Sequence, residues 1–220
     1  MQINRCILTL LTDRPVVESP TTLRGFIAKK FYANALLHNH TDEEGFFYSY
    51  PRVQYKIINR IPIILGINEG SEAVRKMLDI EQLNLRDKEY EIINTGLSEE
   101  VVCFGVTDKI LSYKFLTPWL ALNERNYERY KDSSQREQIQ LLKKILIGNI
   151  LSMAKGLEYV VTEEIKVKNL KLKMENIKVK NIKMIGFIGD FEVNFNLPDY
   201  IGLGKMVSRG FGTIKKTNEK

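Results

Sequence analysis

Two hydrophobic periods alternate along this chain in a fixed order, and that order leaves few folds open. Residues 5–11 (RCILTLL) form a nearly continuous apolar run with β-branched members, which predicts a buried central strand ended by Pro15 and Pro20. Leu23, Phe26, Ile27, Phe31 and Ala35 then fall at helical spacing, with Lys29 and Lys30 on the other side and Thr21 or Thr22 as the expected cap. Residues 52–58 and 61–67 are apolar strands separated only by Asn59 and Arg60, hence a hairpin. A short helix opens at Ser71 and Glu72 and carries Val74, Met77 and Leu78; strands follow over 90–94 and 101–106. The order β-α-β-β-α-β, with one strand to spare, is close to a ferredoxin-like unit.

The pattern then starts again. Residues 109–122 (KILSYKFLTPWLAL) read as an apolar strand broken by Pro118. Ser134 and Glu137 have capping-box spacing, and Ile139, Leu142, Leu146, Ile150, Met153 and Leu157 follow at steps of three and four, a helix of about six turns. Strands are expected over 165–174, 177–188 and 191–197, with turns at Glu175-Asn176 and Gly189-Asp190. A glycine-rich stretch stands where a second helix would come, and a strand follows it. The expected fold class is therefore α+β: two tandem ferredoxin-like (RRM-like) units, antiparallel sheets with helices on one face, divided as 1–108 and 109–220. One continuous α+β domain is the alternative that periodicity alone leaves open.

The 220 residues are 44% hydrophobic and 27% charged, enough apolar content for a real core. No run approaches the roughly 18 apolar residues of a membrane span, and the first residues enter a strand pattern rather than a signal peptide, so a cytoplasmic protein is expected, with no membrane partner. Cys6 and Cys103 each sit alone in an apolar run, which excludes a disulfide framework. The net charge of +6 is uneven: residues 141–220 carry 15 Lys and Arg against 8 Asp and Glu, and the rest carries 18 against 19. A basic half joined to a neutral half suggests a polyanion docking mainly on one side.

Gly202, Gly204, Gly210 and Gly212 put four glycines in eleven residues, with Lys205 and Arg209 between them. Glycine turns where a Cβ would clash, so successive amides can point at one anion while the two cations add charge. A phosphate-cradling loop is expected, with a plain β-turn and solvated charges as the alternative. A Walker loop would run into Gly-Lys-Ser/Thr and a helix, whereas a strand pattern follows Gly212, so mononucleotide binding is disfavoured. The doubled Gly-x-Gly around a short basic linker resembles the C-terminal signature of the repeat-associated RNA-binding superfamily of CRISPR systems. It is most similar to that of the endoribonucleases that cut CRISPR precursor RNA at its repeats. Leu23-Arg24-Gly25-Phe26 and Thr117-Pro118 carry the resemblance further, and two tandem ferredoxin-like units extend it end to end. It implies CRISPR repeat RNA as partner, no cofactor and no metal, and it leaves a homodimer or other effector subunits open.

Cutting RNA without a metal requires deprotonating a 2′-hydroxyl, stabilising charge at phosphorus and protonating the leaving 5′-oxygen, and imidazole suits both proton steps. Both histidines of the chain, His38 and His40, fall in one polar stretch after the first helical pattern. In an extended segment residues two apart project to the same side, so both rings can address one phosphate. Two solvated histidines, or a zinc site completed by Asp42, Glu43 or Glu44, compete with that reading. The resemblance implies a histidine in or just after the first helix as general base or acid, helped by a lysine or tyrosine; here Lys30, Tyr48 and Lys29 are the candidates, in that order.

Lys166, Lys168, Lys171, Lys173, Lys178, Lys180 and Lys183 form a ladder with Glu175 as the one acid among them. The alternation shifts phase at Asn169, so the seven cannot share one face without a bulge. Part of the ladder is a groove for an RNA backbone on this reading, and part is a solvated sheet face. The function expected is a metal-independent endoribonuclease that cuts CRISPR repeat RNA to mature guide RNA by 2′-hydroxyl attack, leaving 2′,3′-cyclic phosphate and 5′-hydroxyl ends. The alternative is a non-catalytic RNA-binding subunit of a CRISPR effector complex with the same fold.

Overall fold

A computed structural model of the chain describes residues 1–31, 50–179 and 182–217. It divides into two compact units, one made of Gln2–Cys103 with Val207–Gly210, the other of Met1, Phe104–Met206 and Phe211–Lys220. Among the described residues no helix is long and apolar enough to cross a membrane.

The first unit runs β1 (Gln2–Thr12), α1 (Pro20–Lys30), β2 (Val53–Ile58), β3 (Ile61–Ile67), α2 (Glu69–Arg75), β4 (Gln82–Leu85) and β5 (Lys88–Cys103). Its antiparallel sheet has the order β2-β3-β1-β5-β4. Cys6, Leu8 and Leu10 of β1 alternate onto one face, where Val53, Tyr55 and Ile64 join Leu23 and Ile27 of α1 and Ala73 and Val74 of α2 in one buried cluster. Both helices therefore cover the same face, as a ferredoxin-like unit requires. The sequence leads one to expect two strands over 90–94 and 101–106. Instead β5 is continuous and pairs with the whole of β1, from Gln2 opposite Cys103 to Thr12 opposite Ile92. Its middle, Thr95 to Glu100, resembles a loop because most of its side chains face solvent. The short strand β4 is absent from the sequence reading for a related reason: four residues are too few to show a period.

Gln54 and Lys56 alternate with the core residues of β2, and both are fully buried. The Lys56 ammonium donates to Gln54 Oε1 at 3.1 Å, while Gln54 Nε2 donates to the Tyr50 hydroxyl at 2.9 Å. Burial pushes the Lys56 pKa down to about 7. Below that pH both folded and unfolded chains hold the proton, and the fold bears the cost of a buried ammonium. Between about 7 and the unfolded value near 10.4 the unfolded chain binds more protons, so stability rises with pH across that window and levels above it. Lys56→Met is expected to stabilise the protein at pH 6 by about 1–4 kcal/mol and to flatten the pH dependence between 7 and about 10. Urea unfolding at several pH values checks this; an unchanged slope with pH refutes it.

The second unit runs β6 (Gly105–Trp119), α3 (Glu124–Asp132), α4 (Gln135–Gly156), β7 (Val167–Val179), β8 (Ile182–Asn196) and β9 (Ile214–Lys216), with strand order β7-β8-β6-β9. With the first helix-and-sheet half repeated and β9 beside β6, the glycine-rich stretch occupies the place of a second helix. The capping box at Ser134 and Glu137 forms as expected, and α4 buries Leu142, Leu146, Ile150 and Met153. Phe115 stacks on Trp119 at 5.3 Å between ring centres, and Phe115 and Tyr113 both meet Phe191, so a chain of aromatic rings runs through the core. The charged helix α3 has no counterpart in the sequence reading; none of its residues is buried, so it shows no apolar stripe.

The turns expected at Glu175-Asn176 and Gly189-Asp190 do not occur. Both positions lie inside the long β7-β8 ladder, where Glu175 faces Gly186 and Gly189 faces Leu172. Gly189 has φ +140°, and a Cβ there would collide with the Lys171 carbonyl. The glycine marks close backbone approach within a strand and not a reversal.

Candidate functional site

The first helix starts earlier than its sequence suggests. Ser19 is the cap, its hydroxyl accepting from the Thr22 amide at 3.3 Å, and Pro20 occupies the first turn, where a missing N–H costs nothing. Lys29 and Lys30 fall in the last turn, where the negative end of the helix dipole favours cations. Lys30 Nζ lies 5.9 Å from the Phe26 ring centre. His38, His40 and Tyr48 lie outside the described residues. Of the five catalytic candidates the described residues thus hold Lys29 and Lys30, at the helix end from which the histidine segment continues.

The same unit includes the 3-10 turn Val207–Arg209, which contacts α1 and β2. At Gly210, φ is +84°, and a Cβ would meet Pro20 Cγ at 2.8 Å and the Tyr55 carbonyl at 3.0 Å. The turn brings Arg209 near Arg24. Burial lowers the Arg24 pKa, the Arg209 charge lowers it further, and Tyr55 offsets part of this. Two like charges near a partly buried site repel each other, and an anion bound there would lower that cost. Sequence reasoning selects Arg209 but uses Arg24 only as part of a motif. Its position one residue after the buried Leu23 is the signal that could have placed it beside the sheet.

Elsewhere in the glycine-rich stretch, four amides are taken up within the fold. The Leu203 amide donates to the Gly212 carbonyl at 2.9 Å, the Gly212 amide to Pro118 at 2.9 Å and the Gly210 amide to Val207 at 3.1 Å. Gly202 bridges to Thr213, whose amide donates to Thr117 Oγ1 at 2.9 Å. A Cβ on Gly204 would lie 2.7 Å from Trp119 Nε1, which itself donates to Asn149 Oδ1 at 2.9 Å. Lys205 donates to the Leu122 carbonyl at 2.9 Å, and burial lowers its pKa despite Glu124. These amides serve the fold instead of aiming at an anion. Gly204 and Gly212 are there because indole and backbone approach too closely for any side chain.

The described lysines of the ladder do not share one face, and the change of face falls between Lys173 and Lys178, beyond the shift expected at Asn169. A register shift falls between Val167 and Leu170. Beyond it Lys171 and Lys173 share one face, opposite Asp190 and Ile188, whereas Lys178 lies on the other face directly opposite Lys183. Lys166, before the strand, pairs with Glu164 at 3.5 Å, and Lys168 is exposed at the shift. Lys180 lies outside the described residues.

Residues 1–102 match the Cas6b N-terminal domain model and residues 105–217 the Cas6b C-terminal domain model. The chain belongs to the Cas6b family. A crystal structure of Cas6b is 41% identical over 99% of this chain and 100% of that one, with a TM-score of 0.89. A second, of the CRISPR RNA processing endoribonuclease Cas6b, is 37% identical with the same coverage and a TM-score of 0.77. An uncharacterised protein of Methanocaldococcus jannaschii is 44% identical over 143 residues, covering 65% of this chain and 97% of its own length. A type IV Cas6 crRNA endonuclease shares the fold at 12% identity and a TM-score of 0.56. The tandem ferredoxin-like arrangement is thus that of Cas6 proteins, and the Cas6b models match both halves.

Proposed function

We propose that this chain cuts CRISPR repeat RNA without a metal, at a site built from His38, His40 and the end of α1. The match of both halves to the Cas6b family, one member of which is named a CRISPR RNA processing endoribonuclease, supports the reading. In the reaction, His40 takes the proton of the 2′-hydroxyl, the 2′-oxygen bonds to phosphorus, the bond from phosphorus to the 5′-oxygen breaks, and His38 protonates that oxygen. Lys30 or Tyr48 stabilises the added charge on the phosphate oxygens. The products are a 2′,3′-cyclic phosphate and a 5′-hydroxyl. Incubation of repeat RNA with the protein in EDTA tests this: cleavage with those ends is expected, and cleavage that needs an added divalent ion refutes it.

RNA backbone binding is assigned to Arg209 with Arg24 and to the outer end of the β7-β8 ribbon. Like charges directly opposite on a ladder are destabilising, and Lys178 and Lys183 are such a pair, whereas Lys171 faces Asp190. Lys178→Ala is therefore expected to reduce the slope of log affinity against log salt by about 0.7, the value of one single-strand phosphate contact, while Lys171→Ala leaves it unchanged. Salt titration of each variant by filter binding decides this, and equal slopes for both variants would remove the assignment.

A further inference from the structure

Gly25 sits in the interior of α1, and apart from its chain neighbours and its own helix backbone no described heavy atom comes within 4 Å of where its Cβ would be. Glycine is the least favourable residue in a helix interior apart from proline, and neither crowding nor backbone conformation calls for it here. What it borders is a groove of about 640 Å³ to which α1 also contributes Phe26, Lys29 and Lys30. The opposite wall is β4, an edge strand, with Gln82 and Asn84 exposed on one side and Leu83 and Leu85 buried on the other. Arg86 follows at φ +57°.

Three features of this lining suit one kind of ligand. Lys29, Lys30 and Arg86 supply three cations, and no carboxylate lines the groove among the described residues. Half-buried Phe26 adds an aromatic ring to the lining, and stacking on aromatic rings is how proteins hold unpaired bases. Gln82 and Asn84 stand two residues apart on one strand face, roughly 7 Å, each with donors and an acceptor for a base edge. Glu91 and Glu89, opposite Gln82 and Asn84 on β5, put negative charge beside them and favour base edges over phosphates there.

We propose that this groove seats an unpaired nucleotide of the RNA beside the cut. Its base lies against Phe26 and is read by Gln82 and Asn84, and its phosphate is held by Lys29 and Arg86. The proposal rests on the RNA-cutting reading above, since Lys30 belongs both to the groove and to the candidate catalytic set. Gly25 is kept small so that the nucleotide can enter.

The test uses the whole protein and a repeat RNA with a 2′-deoxy residue at the cut, so binding is read without chemistry. Gly25→Met fills the groove while improving helix propensity. It is expected to leave the melting temperature equal or higher and to weaken binding at least about 10-fold. Gln82→Ala and Asn84→Ala are each expected to lose about 10-fold of discrimination among the four bases at one unpaired position flanking the cut. Arg86→Gln is expected to lower the salt slope by about 0.7. Wild-type affinity in Gly25→Met, with base preference and salt slope unchanged in the other variants, overturns the groove assignment even if the protein cuts RNA. A protein that binds with these effects but never cuts unmodified RNA overturns the catalytic reading and leaves the groove standing.

Discussion

His38→Ala and His40→Ala are each expected to lower the single-turnover rate of repeat cleavage at least about 100-fold, with RNA affinity nearly unchanged. The size follows from the two proton transfers, since one imidazole must be neutral to accept the 2′-proton and the other protonated to give one to the leaving oxygen. The double variant should be no worse than the slower single variant by more than about 10-fold, because the two groups act as a unit. For the same reason the rate should be greatest between two titrations, giving a bell-shaped profile whose acid limb disappears with the base residue. Rapid-quench measurement on radiolabelled RNA over pH 5 to 9 reads all of this. A monotonic profile in the parent protein, or one histidine dispensable within about threefold, rules out the two-histidine reaction. In that case a single histidine would act with Lys30 or Tyr48.

Gly212→Ala is expected to destabilise the second unit by roughly 2–5 kcal/mol, lowering the melting temperature by about 10 °C. Gly212 has φ +61°, and a Cβ there would collide with the Leu203 carbonyl, whose own amide donates to the Gly212 carbonyl. Neither side can give way without breaking the link between the glycine-rich stretch and β6, since the Gly212 amide donates to Pro118. Gly204→Ala should behave alike, because its Cβ would press on the buried Trp119 indole. A surface loop that only cradles phosphate would show the reverse: lost RNA affinity at an unchanged melting temperature. Calorimetry of the free protein separates the two, and an unshifted transition in Gly212→Ala refutes the packing role.

The difference between those outcomes shows where the sequence is legible. Runs with a strong period read nearly to the residue: the hairpin of β2 and β3, the capped helix α4 and the phase shift after Val167 all appear as the hydrophobic pattern implies. Readings of what a single glycine does locally fail, although the doubled Gly-x-Gly points to the right family. Gly189 and Gly212 have the same composition signature as turn or ligand glycines, yet both are there because another backbone passes too close, a fact about residues far away in sequence. The groove at Gly25 is invisible for a similar reason, since nothing in positions 82–86 announces that β4 lies alongside α1. Lys29 and Lys30 are legible as candidates because the helical period places them off the apolar stripe, and Arg24 is not because the charge it meets, Arg209, comes from far along the chain.

That last contact bears on how the protein is made. The first unit includes Val207–Gly210, which reaches the chain about a hundred residues after the unit's last strand. Domains emerging from the ribosome generally fold in order, N-terminal first. Here the wall behind α1 and β2 is missing until residues 207–210 have been made. A chain synthesised only as far as residue 206 would lack Arg209 near Arg24, so the phosphate clamp assigned above cannot assemble before residue 209 has been made. Ribosome-stalled chains ending before residue 207 should accordingly hold α1 loosely, and release beyond residue 217 should make it resistant to protease.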